Sequence, residues 1–272
     1  MGKGFWNAGG RIYGDKFASS DYYLYFRNKM IGIFDSGIGG LSLYKKAKEE
    51  IPDKGFIYLS DSANFPYGEK TEEELLGLVR ENIKLLQEMG AQVVLIACNS
   101  ATVSSRGRIR KEFVIPIVGV EPGIKVAHDR FFGKKAVVLA TERTVHTHQQ
   151  LREDEYRDVK IVGANGLVSL IEQNFPNIQP DDLKNILDPK IKKEKVVVLG
   201  CTHYHLIKGL LEKIYPEKVF IAPEEAVIKQ LKKISGFKSQ SFSDIFLTTG
   251  DLGTFKVKLE AFLGKSCEVR KI

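Results

Sequence analysis

Cysteine is scarce in this chain: 272 residues hold three, an odd number, which excludes a disulfide framework as the source of its stability. No apolar run approaches the ~20 residues needed to cross a bilayer. The N-terminal stretch lacks an apolar signal core, because charged and aromatic residues interrupt it throughout. Low-complexity tracts are missing as well, so no long disordered linker is expected. These absences point to the cytoplasm, with no membrane partner. Charge of one sign does not dominate either: 41 Lys and Arg face 34 Asp and Glu, a net charge of +7. Residues 1–29 carry +3 of it. Elsewhere Lys and Arg mix with Glu along apparent helices, whereas a nucleic-acid binder concentrates positive charge in a patch or stripe. No nucleic-acid partner is expected. The mild excess suits attraction of an anionic small molecule.

What is present is ample length for a core and a repeated pattern of strand, turn and helix. Residues 1–29 stand apart as an extension of unknown role, with eight of the 27 aromatics, the single Trp6 among them, and no clear period. Met30 then opens a clean strand and reads as an alternative start. Strands are expected at 31–34, 56–60, 93–97, 117–120, 135–139, 160–163, 195–199 and 218–221. Helices are expected near 40–50, 71–89, 102–112, 144–154, 167–174, 181–187, 205–214 and 224–233. Such alternation indicates βαβ units and mostly parallel sheets. Eight strands could also close a barrel.

Two segments 103 residues apart mirror each other and favour two similar α/β domains instead. Val93-Val94-Leu95-Ile96-Ala97 runs into Cys98-Asn99-Ser100-Ala101, and Val196-Val197-Val198-Leu199-Gly200 runs into Cys201-Thr202-His203-Tyr204. Each reads as a buried parallel strand handing over to a thiol and small polar donors. Open α/β sheets bind ligands beyond the carboxyl ends of their strands. The two thiols are therefore expected to face one pocket from opposite sides. With Glu121-Pro122-Gly123 as the crossover, the first domain is expected over 31–123 plus 213–272 and the second over 124–212.

A thiol at a helix N-terminus ionises more readily and can abstract or return a proton. One thiol on each side of a carbon suits moving a proton from one face to the other. Asp35 and His203 are candidate partners for the two sulfurs. Rival chemistries are less well supplied. Asp35-Ser36-Gly37-Ile38-Gly39-Gly40 suggests a dinucleotide fingerprint, but a carboxylate beside the loop would repel pyrophosphate. His146-x-His148 and His203-x-His205 offer four imidazoles, yet residues two apart on a helix do not share a face. A cysteine hydrolase using Cys98 or Cys201 with His203 as base would leave the other thiol idle. Asp61-Ser62-Ala63-Asn64-Phe65-Pro66-Tyr67-Gly68 reads both as a turn and as a loop offering donors to an anion. Cys267 reads as structural.

Taken together these segments resemble the glutamate racemases of the cofactor-independent aspartate/glutamate racemase superfamily. The resemblance covers most of residues 31–230 and also includes Gly119–Gly123, Ala140–Val145 and Leu170–Glu172. It implies two α/β domains with the active site between them, no metal and no other cofactor, and L- and D-glutamate as substrates. The product D-glutamate would serve peptidoglycan synthesis. Cys98 and Cys201 would be the acid/base thiols, with Asp35 and His203 assisting. Ser36, Pro66, Tyr67, Gly68, Asn99, Ser100 and Thr202 would contact substrate, and Thr141, Thr144 and Glu172 would line the cleft from the second domain. Cys98 would deprotonate D-glutamate and Cys201 L-glutamate. A homodimer is a candidate assembly. Aspartate or hydantoin racemases, and a non-catalytic dicarboxylate-binding protein, are the alternatives. Departures from the family pattern are Ser100 in place of Thr, His205 in place of Pro, Ala164-Asn165 in place of Cys-Pro, and residues 1–29.

Overall fold

The computed structural model describes residues 29–105, 107–131, 136–151, 159–237 and 244–272, with 148–151 described by backbone alone. The expected N-terminal extension therefore lies, but for Lys29, outside the described residues. In chain order the strands are β1 (Met30–Asp35), β2 (Gly55–Ser60), β3 (Ala91–Ile96), β4 (Ile117–Gly119), β5 (Ala136–Ala140), β6 (Lys160–Gly163), β7 (Val196–Leu199), β8 (Val219–Ile221), β9 (Ile245–Thr248) and β10 (Val269–Lys271). They form two sheets, ordered β10-β9-β2-β1-β3-β4 and β6-β5-β7-β8. Every described pairing is parallel.

The helices are α1 (Leu41–Glu50), α2 (Glu72–Glu88), α3 (Asn99–Ser105), α4 (Ile124–Phe131), α5 (Glu142–Leu151), α6 (Leu167–Asn174), α7 (Pro180–Ile191), α8 (Thr202–Leu206), α9 (Lys208–Ile214), α10 (Glu224–Ile234) and α11 (Leu252–Leu263). They cover both faces of the first sheet, so its central strands are buried on both sides. β1 and β2 are buried at all six positions, as parallel strands between two helical layers must be. Alternation along β1 divides the core in two. Ile31 and Ile33 pack with Leu41, Tyr44, Val227, Leu231 and Phe255 from α1, α10 and α11. Met30 and Phe34 pack with Leu75, Val79, Ile83 and Leu86 of α2 on the other face. In the second sheet Val137, Leu139, Val197 and Leu199 meet α6, α7, α8 and α9, while Val138 and Val198 meet Ile124 and Ala127 of α4.

Three sequence expectations are corrected. The stretch 213–221, assigned to the first domain, belongs with the second sheet, because β8 pairs with β7. The chain returns only afterwards, when Val227, Ile228 and Leu231 of α10 join the core of the first sheet. The expected helix at 102–112 begins earlier, at Asn99, and ends at Ser105, and that at 205–214 divides at Ile207 into α8 and α9.

The topology fixes where a site can form. In the first sheet β1 connects to β2 on one side and its other neighbour is β3. In the second, β5 connects to β6 on one side and its other neighbour is β7. Each sheet thus has a switch point at which crossovers diverge and leave a crevice at the strand ends. Asp35 and Cys98 flank the first crevice, and Thr141 and Cys201 flank the second.

Candidate active site

Both thiols are buried, Cys98 at 6% exposure just beyond β3 and Cys201 at 5% at the start of α8. They are close enough for charge on one to act on the other. Short polar side chains join the two halves around them. Thr202 Oγ1 donates to Asp35 Oδ2 at 3.0 Å, and Thr202 N donates to Asn99 Oδ1 at 3.1 Å. Ser100 Oγ and Thr141 Oγ1 lie 3.1 Å apart across the cleft, and the Thr141 hydroxyl donates to Thr144 Oγ1 at 3.1 Å. Gly37 N closes on Asp35 Oδ1 at 2.9 Å. The structure thus brings Asp35, Asn99, Ser100, Thr141, Thr144 and Thr202 together as the sequence suggested. Ser36 is buried beside the Cys98 thiol.

His203 is fully buried and faces Cys201, Glu172 and Asp35. Its Nε2 lies 2.8 Å from Glu172 Oε2, and its ring lies 5.9 Å from that of Phe65. Burial works against a charged imidazole, but the Cys201 thiol, the Glu172 carboxylate and Asp35 outweigh it and raise the pKa well above the ordinary range. The site therefore carries a buried imidazolium beside one thiol. Burial pushes the Asp35 carboxyl up, against the opposing pull of His203, Gly37 N–H and Thr202.

Cys98 departs from expectation. Burial, reinforced by the negative charge of Asp35, drives its thiol well above the ordinary range, although Ala101 N–H and Ser36 pull the other way. The helix it opens has only seven residues, and its amides do not offset the loss of water. Burial and Asp35 thus favour the thiol form of Cys98 over the thiolate.

Glu172 was expected to contact substrate, but both of its oxygens are engaged within the protein. Oε2 accepts from His203 and from Ile38 N at 3.1 Å, and Oε1 accepts from Lys258 Nζ at 3.1 Å. Burial would raise its pKa. The hydrogen bond and charge of His203, with Lys258 and Ile38 N–H, instead hold it at about 2. This has a pH signature. Because the native value lies below the ordinary 4.5, the pairing stabilises the fold fully above about pH 4.5 and is lost as pH falls toward 2. Glu172→Gln is expected to cost on the order of 3 kcal/mol at neutral pH. In urea unfolding the gap between variant and wild type should narrow below about pH 4.5 and close only near pH 2; a constant gap down to pH 3 would refute the ion-pair account.

Tyr67 is also turned inward. Its hydroxyl donates to Asp61 Oδ2, and the same carboxylate accepts from Asn64, Asn82 and Thr249 at 2.8–3.2 Å. This buried network shapes the 61–68 loop, leaves Pro66 half-buried and turns Gly68 toward Ser100 and Thr141. The two imidazoles of His203-x-His205 diverge, since the ring nitrogens of His205 meet Glu224 Oε1 and Leu199 O at 3.0 Å each. His146 lies on α5, and the side chain of His148 lies outside the described residues.

Sequence reasoning missed Lys258, Asn82 and Thr249. For Lys258 a signal was available: it falls among Phe255, Leu259 and Phe262 on the apolar face of α11, where a lysine calls for a buried counter-ion.

The site thus lies where two parallel α/β units meet at their switch points, each bearing a thiol. Residues 31–231 match the sequence model of the Asp/Glu/hydantoin racemase family, and the chain belongs to that family of isomerases. A glutamate racemase of Clostridium perfringens is 36% identical over 219 residues, covering 76% of this chain and 83% of its own. One from Fusobacterium nucleatum is 31% identical over 261 residues, covering 90% and 98%. The crystal structure of Escherichia coli glutamate racemase with L-glutamate and the activator UDP-MurNAc-Ala superposes with a TM-score of 0.78 at 27% identity, covering 90% of this chain and 98% of that one. Among the described residues, no helix is long and apolar enough to cross a membrane.

Proposed function

We propose that this chain interconverts L- and D-glutamate by moving the Cα proton between Cys98 and Cys201, without a cofactor. The observation that carries this reading is the pair of buried thiols at equivalent strand ends of the two sheets, joined across the cleft by Thr202. The named relatives support glutamate as the substrate.

The Cα proton of an amino acid is very weakly acidic, so its removal needs charge stabilisation already in place and water excluded. The cleft supplies hydroxyl and amide donors from Ser36, Asn99, Ser100, Thr141, Thr144 and Thr202 around the thiols. The loop Pro66–Gly68 closes one side. As substrate arrives, the Cys98 proton passes to the neighbouring Asp35 carboxylate, and the substrate ammonium stabilises the thiolate left behind. Cys98 then takes the proton from D-glutamate while Cys201 returns one to the opposite face. The roles reverse for L-glutamate, with the His203 imidazolium held beside the Cys201 sulfur as its proton partner. The thiols must remain unbridged, which suits a reducing cytoplasm. There a homodimer would deliver D-glutamate for peptidoglycan precursors.

The test is Cα proton exchange in deuterium oxide, offering both enantiomers of glutamate and of aspartate without added cofactor. Inversion of both glutamates with solvent deuterium at Cα, and little reaction with aspartate, is the expected result. Exchange with aspartate alone would change the substrate and keep the chemistry. No exchange with any of the four would overturn the reading.

A further inference from the structure

Lys258 has no place in the mechanism so far and lies outside the segment matched to the family. It sits on α11, a helix fixed at one end by Asp251, whose Oδ1 accepts from Thr254 N at 2.7 Å, and at the other by Gly264 in a left-handed conformation. Its side chain is buried, with the whole residue 8% exposed. The ammonium reaches Glu172 Oε1 at 3.1 Å and also donates to the backbone carbonyl of the same residue. Glu172 in turn holds His203 Nε2 at 2.8 Å, and His203 shares the start of α8 with Cys201. A chain of polar contacts therefore runs from the last helix, across the interface of the two halves, to the imidazole beside one thiol.

We propose that Lys258 is a positioning residue for racemisation, holding Glu172 so that Glu172 holds the His203 imidazole against Cys201. The proposal rests on the racemase reading above. It follows from the accounting of charge and direction. The buried cluster contains two carboxyls, Asp35 from β1 and Glu172 from α6, with the Cys98 thiol at the start of α3 and Cys201 and His203 at α8. Tyr58 of β2 adds a hydroxyl, bonded to Gly37 O at 2.9 Å. His203 supplies one cation, and Lys258 supplies the second. A carboxylate tied at one oxygen only could swing about its side-chain torsions. Tied at both, it presents a fixed acceptor to the imidazole, as residues supporting a ligand or base do elsewhere. Removing the ammonium would leave every remaining proton in the cluster more tightly held.

The experiment compares wild type, Lys258→Met, Lys258→Arg, Glu172→Gln and the Glu172→Gln/Lys258→Met double variant. Each is measured for kcat, KM, the pH dependence of kcat/KM and the ring nitrogen resonances of His203 in labelled protein. Lys258→Met is expected to lower kcat about tenfold or more with KM within about twofold, since the residue touches no substrate. Its pH profile moves to higher pH, the His203 resonance shifts, and Lys258→Arg restores all three. The double variant should be no slower than Glu172→Gln alone, because the lysine acts through the carboxylate. A folded Lys258→Met with wild-type kcat, pH profile and resonance would overturn the proposal, as would additive losses in the double variant. Should Lys258→Met not fold, Lys258→Arg against Glu172→Gln and the double variant still decide it. If wild type racemises nothing, the functional reading falls, while the resonance of His203 still reports whether Lys258 acts on it.

Discussion

Cys98→Ala and Cys201→Ala are each expected to remove racemisation while leaving the fold in place. A positioned acid or base contributes about 10²–10⁴ in rate, and here inversion needs both, because neither face can stand in for the other. The loss should therefore reach the detection limit rather than halve the rate. The fold should survive, since each thiol sits at a strand end and truncation removes a single sulfur from cores built by Val, Ile, Leu and Phe. The two variants should also differ in what they retain. In Cys201→Ala, Cys98 can still take the Cα proton of D-glutamate and return a solvent deuteron to the same face, giving slow exchange without inversion. Cys98→Ala should show the same partial exchange with L-glutamate. Polarimetry with mass or NMR detection of deuterium separates the outcomes. Racemisation by either variant near the wild-type rate would exclude the two-thiol mechanism, and exchange with the opposite enantiomer would swap the roles of the thiols.

The parts legible in the sequence are those whose burial is uniform. β1, β2 and β7 are apolar on both faces and buried along their whole length, so their apolar runs marked them as parallel strands. Asp35, Cys201 and His203 stand at or just beyond the ends of β1 and β7, where the sequence made them candidates. The C-terminal part was not legible as strand. β9 offers four residues after the polar run Lys238–Asp244, and β10 offers Val269-Arg270-Lys271, with no period to read. α11 did carry its signals in Asp251, the Phe255–Phe262 spacing and Gly264. Contacts between distant segments left no trace in local pattern. Glu172 meets Ile38, 134 residues away, and Lys258, 86 residues away, so its place as the counter-ion of His203 could come only from the fold. The ionisation of Cys98 was misjudged because a sequence shows a helix start but not the depth of burial that outweighs it.

That dependence on close approach makes Gly39 the second position at which one atom should decide activity. The first loop of the chain lies directly on the start of α8. A methyl group on Gly39 would stand 2.6 Å from His203 Nδ1, 2.8 Å from His203 N and 2.8 Å from Thr202 Oγ1. One of these is backbone at a helix start, which cannot turn aside as a flexible side chain would. Gly37 faces the same group, since its added carbon would stand 2.9 Å from Glu172 Cδ and press on the carboxylate that holds His203. Gly39→Ala must therefore either lift the loop off α8 or push Thr202 and His203 away from Asp35 and Cys201. Overpacking of this kind costs about 1–3 kcal/mol, which the two separate cores can absorb without unfolding. The catalytic effect should be larger, because a displacement near 1 Å at reacting groups costs about 10²-fold in rate. We expect Gly39→Ala to remain folded by circular dichroism with a modest drop in Tm, and to racemise glutamate at least about 10²-fold more slowly. Near wild-type turnover would mean that the halves stand further apart in the working enzyme. A loss of activity matched by complete unfolding would place Gly39 in stability alone.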